Sequence, residues 1–145
     1  MINLFWPLSV AGGDYKLKKH REENQEEYDF FNGRVKILTY HNKGAFLNLG
    51  QSKPVLVLAL SMVFTALIGV LFVISLTYKG RGALKAGLGL LLGGAFSNTY
   101  DRYSKGYVVD YLNFPKAPRF IRSVIFNISD FAIIIGSLIS VLESN

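Results

Sequence analysis

The stretch that decides the fold is residues 54–78, which read PVLVLALSMVFTALIGVLFVISLTY and contain no charged side chain. A helix needs about 20 apolar residues to cross a hydrocarbon core of roughly 30 Å, and this run is long enough. Its apolar residues show no helical periodicity, as expected for a helix that is apolar on every side. The run therefore predicts a transmembrane helix.

Two further apolar runs follow the first. Residues 82–100 are interrupted only by Lys85, and residues 121–142 carry only Asp130 after Arg122. The second run contains Gly89 and Gly93, a spacing that lets helices approach closely in lipid, so we predict a role in helix packing for both. The chain is thus predicted to be an all-α polytopic membrane protein with three transmembrane helices.

The N-terminal part is less regular. Residues 2–13 are apolar, but they would cover only ~18 Å as a helix and include Pro7 and the pair Gly12-Gly13. This leaves open a truncated or tilted first span and a chain that begins upstream. In the polar segment 14–53, the charge-dense residues 16–27 predict a solvated helix at the membrane surface. The sequence YDFFNGRVKIL at 28–38 predicts a small β element, because Asn-Gly between two β-prone runs indicates a hairpin.

Composition and charge limit the classes of function. At 145 residues the chain is predicted to form one integral-membrane domain, 1–145. The lack of cysteine excludes a disulfide framework, a zinc–thiolate site and a thiol nucleophile. The two histidines lie in polar sequence, and we expect no metal or organic cofactor. The net charge of +6 is carried by residues that flank lipid-length runs, which favours membrane anchoring over nucleic-acid binding.

Basic residues also suggest an orientation. The turn after the first run holds Lys79, Arg81 and Lys85 without an acidic residue, which places it in the cytoplasm. The segment 14–53 and its β element are then extracytoplasmic.

Two carboxylates are the main candidates for chemistry, since ionisable groups at membrane depth are costly. Asp110 follows the second run and Asp130 lies in the third, so both can meet at one membrane face. Two carboxylates held close share a proton, and such a pair can activate water and protonate a leaving group. A purely structural role remains open, with Asp110 capping a turn and Asp130 a first helical turn.

Other polar residues lie on the same helix faces. Gly94, Asn98 and Arg102 recur every four residues, and Asn127 lies three residues before Asp130. Amide and guanidinium groups are suitable partners for a buried carboxylate, so these residues are candidates for orienting the site. Arg102 could instead mark the headgroup end of its helix.

Several motifs then agree with one family. The blocks GGAFSNTYDR at 93–102, GYVVDYLNF at 106–114 and FNISD at 126–130 resemble the signature blocks of bacterial lipoprotein signal peptidase (signal peptidase II). HNKGAF at 41–46 and the pair Asp14 and Lys18 resemble two more of its motifs. Ser97 stands where the family commonly has glycine, and the first span is short, so the chain resembles a divergent or N-terminally shortened member.

The resemblance implies an intramembrane aspartic endopeptidase of the bacterial inner or plasma membrane. Such an enzyme cleaves the signal peptide from a diacylglyceryl-modified prolipoprotein before the lipidated cysteine, near the extracytoplasmic face, and binds the antibiotic globomycin. Asp110 and Asp130 match the catalytic aspartates, and we expect a monomer among membrane lipids. The positions that match site-lining or substrate-associated residues are Asn98, Arg102, Asn127, Asn42, Asp14 and Lys18.

Three alternatives have different sequence requirements. A non-catalytic lipopeptide-binding paralogue would keep the fold but has no need of both aspartates. A proton carrier using Asp130 needs a polar path through the spans, and only the end that holds the aspartates offers one. A serine–lysine protease would need Lys85 at the depth of Ser97 or Ser104, whereas Lys85 lies at the other end of that run.

Overall fold

The chain folds as a helical bundle joined to a small antiparallel sheet. A computed structural model describes residues 5–45 and 48–144. Helix α3 is central and packs against α1, α2 and α5. The elements in chain order are α1 (Phe5–Glu23), β1 (Tyr28–Phe30), β2 (Val35–Asn42), α2 (Pro54–Thr77), α3 (Gly82–Lys105), β3 (Val108–Asn113), α4 (Arg119–Arg122), β4 (Ile125–Phe126) and α5 (Ile128–Leu142).

Helix α2 forms where the uncharged run predicts it. Pro54 occupies the first turn, where its missing N–H costs nothing. Large apolar side chains along the helix are exposed, among them Val55, Phe64 and Val73. Within the described ranges it is the one helix long and apolar enough to cross a membrane.

The predicted start of the third span, 121–142, is wrong. Residues before Asn127 form the end of α4 and strand β4, and α5 begins only at Ile128. Asn127 and Asp130 fix this start with a capping box, in which each side chain accepts from the other's backbone N–H. The 15-residue helix is about 22 Å long.

The predicted boundary at Asp14 is also wrong, because α1 continues through it. The helix includes Pro7 and the pair Gly12-Gly13 and ends at Glu23. Residues 2–4 of the apolar run lie outside the described ranges. The segment 16–27 is not a wholly solvated helix, since Lys18 and Arg21 are buried. Two carboxylates and two amide or hydroxyl oxygens surround Lys18, which explains how a helix of such mixed polarity packs.

The predicted hairpin is confirmed, and the sheet is larger than predicted. Strands β1 and β2 pair antiparallel across a turn in which Asn32 and Gly33 both have positive φ, as a tight hairpin turn requires. Strands β3 and β4 complete the order β1-β2-β3-β4. The sequence analysis predicted a β element only at 28–38 and did not predict β3 and β4, because no hairpin turn signal such as Asn-Gly marks them. Strand β3 carries Asp110 opposite Tyr40 of β2.

Glycines allow the closest helix contacts. Of the two predicted from the sequence, Gly93 lies at such a contact, whereas a Cβ at Gly89 would meet Phe72 and Pro7 at ordinary distances of 3.4 and 3.5 Å. A Cβ at Gly93 would lie 2.7 Å from the Pro7 carbonyl oxygen of α1. A Cβ at Gly94 would lie 2.5 Å from the Ser129 carbonyl oxygen, and one at Gly136 2.5 Å from that of Gly87. Helices α3 and α5 therefore touch backbone to backbone beside Asp130.

Replacing Gly94 by alanine should destabilise the protein by about 1–3 kcal/mol, because α5 must move away from α3. Thermal unfolding in detergent measures this cost. The matched control is Gly12→Ala, which places a methyl group where no atom lies within 4 Å. There the higher helix propensity of alanine, up to about 1 kcal/mol, should leave stability equal or higher. Equal melting temperatures for Gly94→Ala and the wild type would contradict the packing argument.

Candidate active site

Asp110 lines a cavity together with other polar side chains and is 2% exposed. Its Oδ1 accepts a hydrogen bond from Asn127 Nδ2 at 2.8 Å. Its Oδ2 accepts one from Asn42 Nδ2 at 3.1 Å. Asn42 is held at the end of β2, which pairs with β3 here, so the sheet itself brings this amide to the carboxylate.

Asp130 reaches the same cavity from the first turn of α5. Its Oδ1 accepts from Asn98 Nδ2 at 2.9 Å, and its Oδ2 accepts from the Asn127 backbone N–H at 2.9 Å. Asn127 thus contacts both carboxylates, one with its side chain and one with its backbone. The two amides also bond to each other, from Asn127 Nδ2 to Asn98 Oδ1 at 3.0 Å.

Burial and proximity change the acidity of Asp110. Desolvation, followed by the negative charge of Asp130, raises the pKa of Asp110 from 3.8 to about 8. The amides of Asn42 and Asn127 oppose this rise without cancelling it. The pair therefore holds a proton at neutral pH, which is the state that acid–base chemistry on a peptide bond requires.

The cavity has a volume of about 500 Å³ and two kinds of wall. Its polar wall consists of Asn42, Asn98, Arg102, Asp110 and Asp130. Its remaining wall is largely apolar and includes Phe64, Ala95, Val108, Val124, Ile125, Ile133 and Ile134.

A second cavity of about 610 Å³ runs along the exposed side of α2. It shares Ala45, Ser61 and Phe64 with the first, so the two adjoin. Nearly all of its other lining residues are apolar. An apolar groove therefore leads from the surface of α2 to the carboxylates.

Arg102 lines the cavity, but its hydrogen bonds go to backbone oxygens. Its guanidinium donates to the Gly44 carbonyl at 3.0 Å and to the Asn98 carbonyl at 3.4 Å. The first bond ties the segment after β2 to α3 beside the cavity that Asn42 and Arg102 line. Phe46 of the same motif lies outside the described ranges.

Asp14 and Lys18 lie behind the cavity and do not line it. Both are buried, and Lys18 Nζ lies 2.8 Å from Asp14 Oδ2 and 3.1 Å from Asp101 Oδ2. The same ammonium donates to Asn98 Oδ1 at 3.0 Å, which fixes the Asn98 amide so that its NH₂ faces Asp130. Asp14 and Lys18 therefore contribute to the site indirectly, by orienting the Asn98 amide. Gly94 likewise contributes by helix packing.

Sequence reasoning missed the partners of Asp14. Tyr111 Oη donates to Asp14 Oδ1 at 2.7 Å, and the hydroxyls of Ser129 and Ser97 donate to Oδ2 at 2.5 and 2.8 Å. Neighbouring residues of a strand point to opposite faces, so Tyr111 points away from the cavity that Asp110 enters. That alternation was the available signal, but it requires knowing that residue 110 is in a strand.

The fold and the paired carboxylates define a class: a helical protein with a membrane-type apolar helix and a two-aspartate site at the end of an apolar groove. The family model described as Signal peptidase (SPase) II matches residues 9–145, and the chain belongs to that family.

Proteins similar in sequence to this chain are named lipoprotein signal peptidase. The one from Halothermothrix orenii is 33% identical over 106 residues, which is 72% of this chain and 67% of the relative. Those from Caldanaerobacter subterraneus and Moorella thermoacetica are 33% and 35% identical over 70% of this chain, and 66% and 63% of their own lengths are covered. The alignments thus span about two thirds of these relatives.

Solved structures agree on the fold. Two chains described as a bacterial membrane enzyme, determined in meso at 2.3 and 1.9 Å resolution, superpose with TM-scores of 0.82 and 0.78 at 20% identity. The superpositions cover 97% of this chain and 85% and 90% of the others. The predicted resemblance is confirmed, and the family bears out the prediction of a membrane peptidase that processes lipoproteins.

Proposed function

We propose that this protein removes the signal peptide from diacylglyceryl-modified prolipoproteins, cutting before the lipidated cysteine with water activated by Asp110 and Asp130. The observation that carries the proposal is a pair of carboxylates, the buried Asp110 and the half-buried Asp130, bridged by Asn127 at the end of an apolar groove. A site for cleaving soluble peptides needs no such groove, whereas a lipid-modified substrate does.

The mechanism uses the single proton of the pair. The ionised carboxylate takes a proton from water, and the protonated one donates to the oxygen of the scissile peptide bond. The attack leads to a tetrahedral intermediate with no covalent bond to the enzyme. The carboxyl that took the proton from water then gives it to the leaving nitrogen as the C–N bond breaks. Because the two groups titrate as one unit, the roles of acid and base belong to the pair. Asn42, Asn98 and Asn127 hold the carboxylates in place through four hydrogen bonds. The Asn127 side chain also accepts from the Asp130 backbone N–H.

The groove along α2 suggests how the substrate enters. Apolar side chains that line it, such as Leu56, Leu60 and Leu67, suit acyl chains or an apolar signal-peptide helix. The substrate then approaches sideways from the bilayer, and its scissile bond reaches the polar wall. Globomycin would bind in the cavity that Asp110 and Asp130 line.

Membrane placement is part of the proposal. Helices α2, α3 and α5 span a bacterial inner or plasma membrane, with the apolar N-terminal part of α1 as a short first span, in one domain 1–145. The turn with Lys79 and Arg81 is cytoplasmic, and the sheet with Asp110 lies near the extracytoplasmic face. The protein works as a monomer, since both aspartates come from one chain.

The test is cleavage of a diacylglyceryl-modified prolipoprotein by the purified protein, with mass spectrometry of the products. Cleavage immediately before the lipidated cysteine is expected, and globomycin should block it. The unlipidated precursor is the matched control and should remain intact. A folded protein that binds the lipidated precursor without cutting it would instead identify a non-catalytic binding protein.

The rate of cleavage should decline above about pH 8. The raised pKa of Asp110 means that its carboxyl loses the proton of the pair near this pH. Above it both carboxylates are ionised, so the rate should fall about tenfold per pH unit. The measurement is a profile of kcat/KM between pH 5 and 10. A rate that keeps rising through this range would contradict the shared proton.

A further inference from the structure

The Tyr111 hydroxyl joins three elements of the site at one atom. Tyr111 is 4% exposed and follows Asp110 in strand β3. Its Oη donates to Asp14 Oδ1 of α1 at 2.7 Å and accepts from the Ile128 backbone N–H of α5 at 3.1 Å. The strand that carries Asp110 and the helix that carries Asp130 are therefore tied together through this hydroxyl.

The bond to Ile128 completes the start of α5. The first amide groups of a helix have no partner within it. The capping box satisfies the Asp130 N–H through the Asn127 side chain, and the Tyr111 hydroxyl satisfies the Ile128 N–H. Both bonds fix the first turn of α5 and therefore the direction in which the Asp130 side chain points.

The other partner, Asp14, is a fixed point. Its carboxylate contacts Lys18 of its own helix, Ser97 of α3 and Ser129 of α5, all of which are buried. Tyr111 is thus anchored to the central helices and does not merely fill space beneath the sheet.

The remaining links between β3 and α5 lie elsewhere. Asn127 bonds Asp110 on the cavity side, and the β3–β4 ladder pairs Leu112 with Phe126 two residues from Asp110. Tyr111 supplies the link on the opposite face of the strand. Without it, the links that remain are the β3–β4 ladder and the hydrogen bonds of Asn127 to Asp110 and to the Val109 carbonyl.

We propose that Tyr111 is a positioning residue of the cleavage site, which sets the separation of Asp110 and Asp130 through its hydrogen bonds to Asp14 and to the start of α5. The inference rests on the proposed peptidase function for its kinetic consequence. Its structural consequence, a fixed distance between the two carboxyls, is measurable whether or not the protein cleaves.

The test removes the hydroxyl alone, in Tyr111→Phe. For cleavage of the lipidated precursor, kcat should fall roughly tenfold or more because small misplacements of catalytic groups are costly, while KM stays within about twofold.

Infrared spectroscopy of the purified protein should follow the band of the protonated buried carboxyl with pH, with Asp110→Asn used to assign it. Its midpoint should fall by at least about half a pH unit, because a looser pair repels less and admits water. The charged groups near the pair are Asp14, Lys18, Asp101 and Arg102, and of these Asp14 loses its hydrogen bond from Tyr111 in the variant.

Two further variants keep the result interpretable. Tyr107→Phe removes a tyrosine hydroxyl that bonds Glu22 at 3.2 Å, and it should change neither kcat nor the midpoint. Ser129→Ala weakens the same link between Asp14 and α5. It should lower kcat and the infrared midpoint, as Tyr111→Phe does. An unchanged or raised midpoint in Tyr111→Phe, with activity lost only in proportion to unfolded protein, would overturn the proposal. A wild type that shows the infrared midpoint but cleaves nothing would refute the function and leave the positioning role standing.

Discussion

Replacing Asp110 or Asp130 by asparagine should lower kcat for the lipidated precursor by at least about 10³-fold, because either change removes one half of the acid–base pair. Asparagine has nearly the same shape and can still accept one hydrogen bond from Asn127 or Asn98. The measurement is initial velocity under saturating substrate, normalised to folded protein. Binding of globomycin reports whether the cavity is intact in each variant.

The stability of the two variants should differ in a way that separates chemistry from folding. The raised pKa of Asp110 means that its contribution to stability is full below its ordinary pKa of 3.8 and declines as the pH rises toward about 8. Asp110→Asn removes this decline, so its melting temperature at pH 7.5 should equal or exceed that of the wild type. Asp130→Asn loses an acceptor of the capping box and should melt lower.

The matched control for both variants is Asp29→Asn, which neutralises an exposed carboxylate in the hairpin. It should retain full activity. Substantial turnover in both Asp110→Asn and Asp130→Asn would exclude the two-aspartate mechanism. Inactivity together with lost globomycin binding would point to a collapsed cavity.

Lys18→Met should produce the largest loss of stability, about 3–5 kcal/mol, because it leaves two buried carboxylates without their shared cation. Lys18 is fully buried and lies within 3.1 Å of both Asp14 and Asp101. Methionine preserves most of the side-chain volume, so the effect measures charge and hydrogen bonding. For a chain of this length the melting temperature should fall by roughly 6–20 °C. Activity of the remaining folded protein should also fall, since the Asn98 amide loses the donor that orients it.

Lys19→Met provides the comparison at the next residue. The Lys19 side chain is 62% exposed and lies 4.0 Å from Glu23, so its ion pair is weak. That variant should melt within about 2 °C of the wild type, because exposed pairs contribute little. Similar melting temperatures for Lys18→Met and Lys19→Met would show that the buried cluster is dispensable for stability.

Several structural elements of this protein could be predicted from the sequence alone, because the properties of neighbouring residues determine them. The uncharged run 54–78 requires a helix in lipid because only a helix satisfies its backbone there, and α2 forms over Pro54–Thr77. Asn32-Gly33 specifies its hairpin because the turn needs positive φ at both positions. The spacing of Asn98 and Arg102 likewise places both on the cavity face of α3, since helical geometry is set by residue number.

Only the tertiary structure decided where the polar residues of α1 go and what holds the carboxylates together. Lys18 falls in the segment 16–27 that the sequence predicts to be solvated, because a charged residue normally is, yet partners from distant segments bury it together with Asp14. The start of α5 and the role of Tyr111 depend on β3 lying against that helix, a contact between segments that no local pattern encodes. Burial against long-range partners changes the cost of a charge, and that cost is set by the assembled fold and not by neighbours in the chain.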